Sequence, residues 1–230
     1  ERSMQLLIGN KNYSSWSMRP WVLMRHFGIP FDEMMVRFDS FSADSRFKQR
    51  IAQVSPAGRV PVLIDGELVV WDTLAIAEYL AERFSQHALW PHDAKQRARA
   101  RSLCAEMHSG FSALRSHCPQ NLEASLPEVG ARIVAEQSGV RADLQRIGQM
   151  WSQALAASGG PFLFGEFGIV DAFYAPVCGR IRTYALPVPA DAQAYVRRVF
   201  ASPGVAAWLR DALAEGEFLD FEEPYRTTRN

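Results

Sequence analysis

Nowhere does the sequence hold a run approaching the ~20 apolar residues needed to cross a bilayer, so it contains no candidate membrane span. Cysteine is scarce: Cys104, Cys118 and Cys178 are odd in number, far apart, and form neither a zinc-ligand pattern nor a CxxC redox pair. A reducing cytoplasm suits such a chain. Excess charge is also missing, since 25 basic residues balance 25 acidic ones and the pI is near 7.2. Sustained phosphate binding needs a positive surplus, which argues against a dedicated nucleic-acid protein. Internal repeats, heptads and low-complexity tracts are absent, and the amino terminus has no signal-peptide pattern; Glu1-Arg2-Ser3 ahead of Met4 reads as a vector-derived remnant. What is present is 230 residues, 48% hydrophobic and 22% charged. That suffices for a sizeable core in one large domain or two modest ones. The expectation is a soluble intracellular globular protein.

The two halves differ in grain. Gln5 to Gly9 and Phe31 to Phe38 pattern as strands around a helix from Ser17 to Phe27, which stops at Gly28. Asp44 to Val54 is compatible with a helix. Val60 to Ile64 and Leu68 to Trp71 flank Asp65-Gly66, a strong hairpin signal, and Thr73 to Phe84 carries Ile76, Leu80 and Phe84 on one helical face. The order β-α-β-α-β-β-α requires a mixed sheet, because a parallel βαβ unit is followed by a hairpin. Beyond Phe84 the strands vanish. Ser85 to Asp93 reads as a linker, and Asp93 to Cys118, Pro127 to Ala157, Val170 to Tyr184, Asp191 to Ala201 and Val205 to Ala214 read as helices. The predicted architecture is an α/β domain over 4–84, a linker over 85–92 and an all-α domain over 93–230.

Three constellations carry possible chemistry. Asn12-Tyr13-Ser14-Ser15-Trp16-Ser17 joins the first strand to the first helix, where free N–H groups and the helix dipole favour an anion. A hydroxyl there can donate to a thiolate, carboxylate or phosphate, or can simply cap the helix. No GxSxG context supports a serine nucleophile. In Gly58-Arg59-Val60-Pro61-Val62-Leu63, the proline either opens an edge strand in trans or follows a cis bond. The cis form would turn the Val60 N–H and C=O outward to pair with an extended peptide. In Trp71-Asp72-Thr73, the pair opening the helix is an ordinary cap, and it also offers a carboxylate, a hydroxyl and free N–H groups to an α-amino acid moiety. A small peptide bearing a thiol would satisfy all three.

The stretches Tyr13 to Arg19, Ser55 to Leu63 and Trp71 to Leu80 resemble those of cytosolic glutathione transferases, and the resemblance covers almost the whole chain. It implies a thioredoxin-like N-terminal domain with a mixed four-stranded sheet, followed by an all-α C-terminal domain. It also implies glutathione as co-substrate, a small-molecule electrophile as the second substrate, a homodimer, and no metal, nucleic-acid or membrane partner. By resemblance Ser14 donates its hydroxyl to the glutathione sulfur, the Val60 backbone pairs with the cysteinyl unit, Pro61 is the cis-proline, and Asp72 and Thr73 hold the γ-glutamyl end. Arg59 is either near the glycyl carboxylate or a solvated charge. Ser15 is the helix cap or a supporting donor. The Ser-Ser pair is similar to the zeta class, which includes maleylacetoacetate isomerases, but that class has cysteine where Trp16 stands. Omega and beta classes use an active cysteine that this loop lacks. At Phe167 to Asp171, Gly168 replaces the family's capping Ser or Thr.

The implied activity is thiol activation for attack on a hydrophobic electrophile held between the domains by Trp16, Met107, His108 and Phe111. His108 equally suits a packed or hydrogen-bonding role. Two alternatives stay open: a glutathione-dependent isomerase, which needs a polar, basic second pocket, and a binding module without catalysis. Lys95, Arg97, Arg99 and Arg101 fall on two faces of one helix and read as solvated surface or a subunit contact.

Overall fold

The computed structural model describes residues 3–229; Glu1 and Arg2 lie outside them. Strand β1 (Met4–Ile8) leads into α1 (Ser15–His26), β2 (Phe31–Met35), α2 (Arg46–Ala52), β3 (Val62–Asp65), β4 (Leu68–Trp71) and α3 (Thr73–Arg83). The sheet order is β2-β1-β3-β4, with β1 parallel to β2 and antiparallel to β3, and with β3 and β4 as the hairpin. This is the mixed four-stranded sheet that the pattern predicts.

Seven α-helices follow among the described residues: α4 (Ala94–Ser109), α5 (Ser112–His117), α6 (Pro127–Glu136), α7 (Ser138–Ser158), α8 (Ile169–Tyr184), α9 (Ala190–Ala201) and α10 (Pro203–Glu215). Two of the long predicted helices are each divided. Gly110 is extended and Phe111 left-handed, which ends α4 and restarts the chain as α5. Gln137 is extended between α6 and α7. The amphipathic period runs through both breaks, so periodicity alone joins what the backbone separates.

Helix α1 explains how the halves are joined. It packs against β1 and α3 on one side and against α8 and α10 on the other. Every residue from Ser17 to Met24 is buried, so its apolar stripe widens to all sides, as expected of a helix inside a core. One hydrophobic cluster accordingly runs from Leu6 and Ile8 through Trp21 to Trp151 and Tyr174. A smaller one under the other sheet face holds Leu7, Phe38, Phe47 and Ile51.

Gly168 at the α8 N-terminus now has a reason. A Cβ there would lie 2.9 Å from the Leu89 carbonyl oxygen, which already accepts the Ile169 N–H at 3.0 Å. A capping Ser or Thr would collide. Asp171 supplies the cap instead, accepting from the N–H groups of Gly168 and Leu163 and from the Tyr195 hydroxyl.

Candidate active site

A cavity of about 860 Å³ opens between the sheet domain and the helices. The β1–α1 loop, the chain before β3 and the start of α3 converge on it, because each lies at the same end of the sheet. Ser14, Ser15, Trp16, Arg59, Val60, Pro61, Asp72, Thr73 and His108 all line it.

The serines are placed differently from the capping expectation. Ser14 occupies the N-cap position and Ser15 is the first helical residue, yet the Ser14 side chain makes no capping hydrogen bond, and Ser15, inside the helix, is not the cap. Ser14 is only 6% exposed; its hydroxyl donates to Ser17 Oγ at 2.7 Å, and Ser17 Oγ also accepts the Gly9 N–H at 3.1 Å. Ser17 is thus a second hydroxyl behind Ser14, readable in the motif but assigned no role there. Ser15 instead offers its carbonyl to Arg19 Nη1 at 3.2 Å.

The Val60–Pro61 bond is cis, and β3 is an interior strand flanked by β1 and β4, so the edge-strand alternative does not hold. Val60 precedes the strand and faces the cavity, its N–H and C=O without backbone partners among the described residues. Lys48, from α2, reaches the same wall and donates to the Gly58 carbonyl at 2.9 Å.

Asp72 does cap α3, with Oδ2 accepting the N–H groups of Leu74 and Ala75. Its other oxygen meets His108 Nε2 at 2.9 Å, a contact that ties the sheet domain to α4. The exposed Asp72 carboxylate faces the cavity while doing both. Thr73 is buried and donates to the Trp16 carbonyl at 3.4 Å.

Two predicted pocket residues are elsewhere. Met107 is fully buried in the core, and Phe111 packs in the same cluster once its left-handed conformation has ended α4. The wall expected from them is polar instead: Arg115 from α5, Gln120 from the following loop and Arg180 from α8. His108 does line the cavity, edge-on to Trp16 with ring centroids 5.3 Å apart.

The largest omission of sequence reasoning is the C-terminal tail. Glu215 accepts the backbone N–H groups of Lys11 at 2.7 Å and Asn12 at 3.1 Å, and Glu217 accepts from Asn10 Nδ2 at 2.8 Å. Glu223 accepts from the Tyr13 hydroxyl at 2.7 Å, Asn121 Nδ2 at 2.8 Å and Arg226 Nη2 at 2.6 Å. Glu215 at the end of α10 and two carboxylates of the tail beyond it thereby hold the loop that presents Ser14. Burial, with the Glu223 charge beside it, pushes the Tyr13 hydroxyl up to about 12, so Tyr13 stays a neutral donor committed to Glu223.

Family models for the glutathione S-transferase N-terminal and C-terminal domains match residues 13–83 and 94–211. The chain spans 63% of the length of protein IN2-1 homolog A from Oryza sativa subsp. japonica, with 24% identity over 172 residues and 75% of this chain aligned. It is 27% identical over 178 residues to glutathione S-transferase 1 of Dianthus caryophyllus, covering 76% of each. A solved glutathione transferase homologue from Burkholderia GL BGR1, with bound glutathione, matches at a TM-score of 0.69 and 24% identity, over 92% of this chain and 98% of that one. Fold and cleft define a thioredoxin-like domain joined to a helical domain with one shared cavity. The chain belongs to the glutathione S-transferase family.

Proposed function

We propose that the protein is a serine-type glutathione transferase: it binds glutathione in this cavity, stabilises the thiolate and directs it at an electrophile. The observation that carries this reading is the meeting of Ser14, the Val60 backbone and the Asp72–Thr73 pair on a single cavity. In this arrangement Asp72 receives the γ-glutamyl ammonium, and the N-terminus of α3 the carboxylate beside it. Val60 pairs with the cysteinyl unit, and Lys48 and Arg59 lie toward the glycyl carboxylate. The sulfur then falls beside Ser14 and the first turn of α1.

The energetics suit a site built from hydroxyls. A free thiol has a pKa of about 8.5, and lowering it by ~2 units takes ~2.7 kcal/mol. A hydrogen bond from Ser14 to the charged sulfur supplies ~1.5–3 kcal/mol, and the α1 N-terminus ~0.3–1 kcal/mol. As the Ser14 proton turns to sulfur, Ser17 can donate into the oxygen it leaves, because hydroxyl protons rotate freely. The thiol proton passes to solvent, and the sulfur lone pair forms the new bond to the electrophile.

Replacing Asp72 and Thr73 together with alanine is expected to weaken retention on immobilised glutathione at least tenfold, or about 1.4 kcal/mol. Unchanged retention would remove the amino-acid clamp. The protein is also proposed to be a cytoplasmic homodimer, the commonest closed assembly. Light scattering at micromolar concentration should give twice the 25.8 kDa chain mass; a particle of one chain mass would contradict it.

A further inference from the structure

We infer that the electrophile taken by this site carries a carboxylate, with Arg180 and Arg115 as its counter-charge. The inference rests on the transferase reading above and names the class of its second substrate.

Three guanidinium groups gather on the helical side of the cavity, around Trp16. Arg19 lies 4.2 Å and Arg115 5.8 Å from the Trp16 ring centroid, and Arg180 reaches the same wall from α8. None of the three takes part in an ion pair among the described residues. Arg19 is bound into the structure through two nitrogens, Nε donating to the Phe173 carbonyl and Nη1 to that of Ser15; its Nη2 is buried without a partner, but Arg19 does not line the cavity. Arg115 and Arg180 do line it. Each spends only Nε, on the carbonyls of Gly110 and Cys118 respectively.

Arg180 is 4% exposed, and its Nη1 is buried without a partner. Burying an unpaired guanidinium is costly, and a second positive group nearby adds to the cost. The charges register it. Burial, and Arg115 beside it, push Arg180 down to about 10, and burial with the charges of Arg180 and Arg115 pushes Arg19 well below its ordinary value. A carboxylate would reverse that penalty, and a guanidinium fork matches carboxylate geometry.

The carboxyls among the described cavity residues do not fill this role. Asp72 is engaged with His108 and the α3 N–H groups. Burial and the charge of Glu223 raise the Glu222 carboxyl to about 7, so near neutrality it carries only part of a charge.

The test uses 4-chloro-3,5-dinitrobenzoate and its neutral methyl ester. In both, glutathione sulfur bonds to the ring carbon bearing chlorine, the C–Cl bond breaks, and chloride leaves with the electron pair. Each kcat/KM is divided by the uncatalysed rate constant, and glutathione affinity is measured separately by calorimetry. The wild-type acid-to-ester ratio is expected to be at least tenfold, falling toward one in Arg180→Gln and in Arg115→Gln. Arg115 is only partly buried, so its variant serves if Arg180→Gln does not fold. A wild-type ratio near one, with the ester turned over and glutathione bound, would overturn the carboxylate inference and leave the transferase reading standing. So would arginine variants that weaken glutathione binding instead of the ratio, since the counter-charge would then be glutathione's own carboxylate. Failure of glutathione to bind at all would overturn both.

Discussion

Ser14→Ala is expected to raise the thiol pKa of enzyme-bound glutathione by about 1–2 units, equivalent to losing ~1.4–2.7 kcal/mol of thiolate stabilisation. Starting from a bound thiol near 6.5, the thiolate fraction at pH 7 would fall roughly 3- to 25-fold, and turnover limited by the chemical step would fall with it. The buried Ser14 hydroxyl faces the cavity and its proton is held only by Ser17, so it can be redirected to sulfur. Ser17→Ala should produce a smaller rise, because it removes the hydroxyl behind Ser14 and leaves the Gly9 N–H without its acceptor. Ser15→Ala should leave the thiol nearly unchanged. It should also cost under about 0.5 kcal/mol of stability, since the Ser15 side chain is not the cap. A Ser15→Ala variant that shifts the thiol while Ser14→Ala does not would move the assignment by one residue.

The second large effect is structural. Glu223→Ala should destabilise the fold by about 3 kcal/mol and lower the melting temperature by roughly 6–12 °C. The Glu223 side chain is 1% exposed, and its loss strands the Tyr13 hydroxyl, Asn121 Nδ2 and one side of the buried Arg226 guanidinium. Arg226 retains Glu123 at 2.7 Å, which keeps the loss from being larger. Calorimetry of the variant measures this directly, and a change below 1 kcal/mol would show that the tail is not the brace described here. Acid should act on the same group. Burial opposes the Glu223 charge, but the bonds from Arg226 and Tyr13 outweigh it and hold the carboxyl below its ordinary 4.5. A depressed carboxyl contributes stability above its unfolded value and loses it as pH falls through the folded one. Release of the tail, followed by proteolysis near residue 215, should therefore begin below about pH 4.5.

The parts of this protein that were legible in the sequence are those written locally. Asp65-Gly66 between two apolar runs announces the β3–β4 hairpin, while Pro61 leaves a trans edge strand and a cis bond both open until the sheet order makes β3 interior. Asp72 opening a helical run marks the cap of α3. The illegible parts depend on distant chain segments or on single backbone angles. Glu215 and Glu223 act on residues more than 200 positions away, and no local pattern encodes that. Met107 and Phe111, expected on the cavity wall, belong to the core: Met107 continues the buried face formed by Ala100, Leu103 and Cys104, and Phe111 packs into the same cluster. Arg180 sits on a helix buried along nearly its whole length, where sequence alone gives no hint that a charge faces a cavity.

The central claim is that the cavity binds glutathione as a thiolate, and ultraviolet titration of thiolate absorbance in the wild-type protein–glutathione complex tests it most directly. The pKa should fall to roughly 6.5, about two units below that of a free thiol. A bound thiol that titrates unchanged near 8.5, with glutathione retained in the cavity, would contradict thiol activation and leave a binding protein in its place.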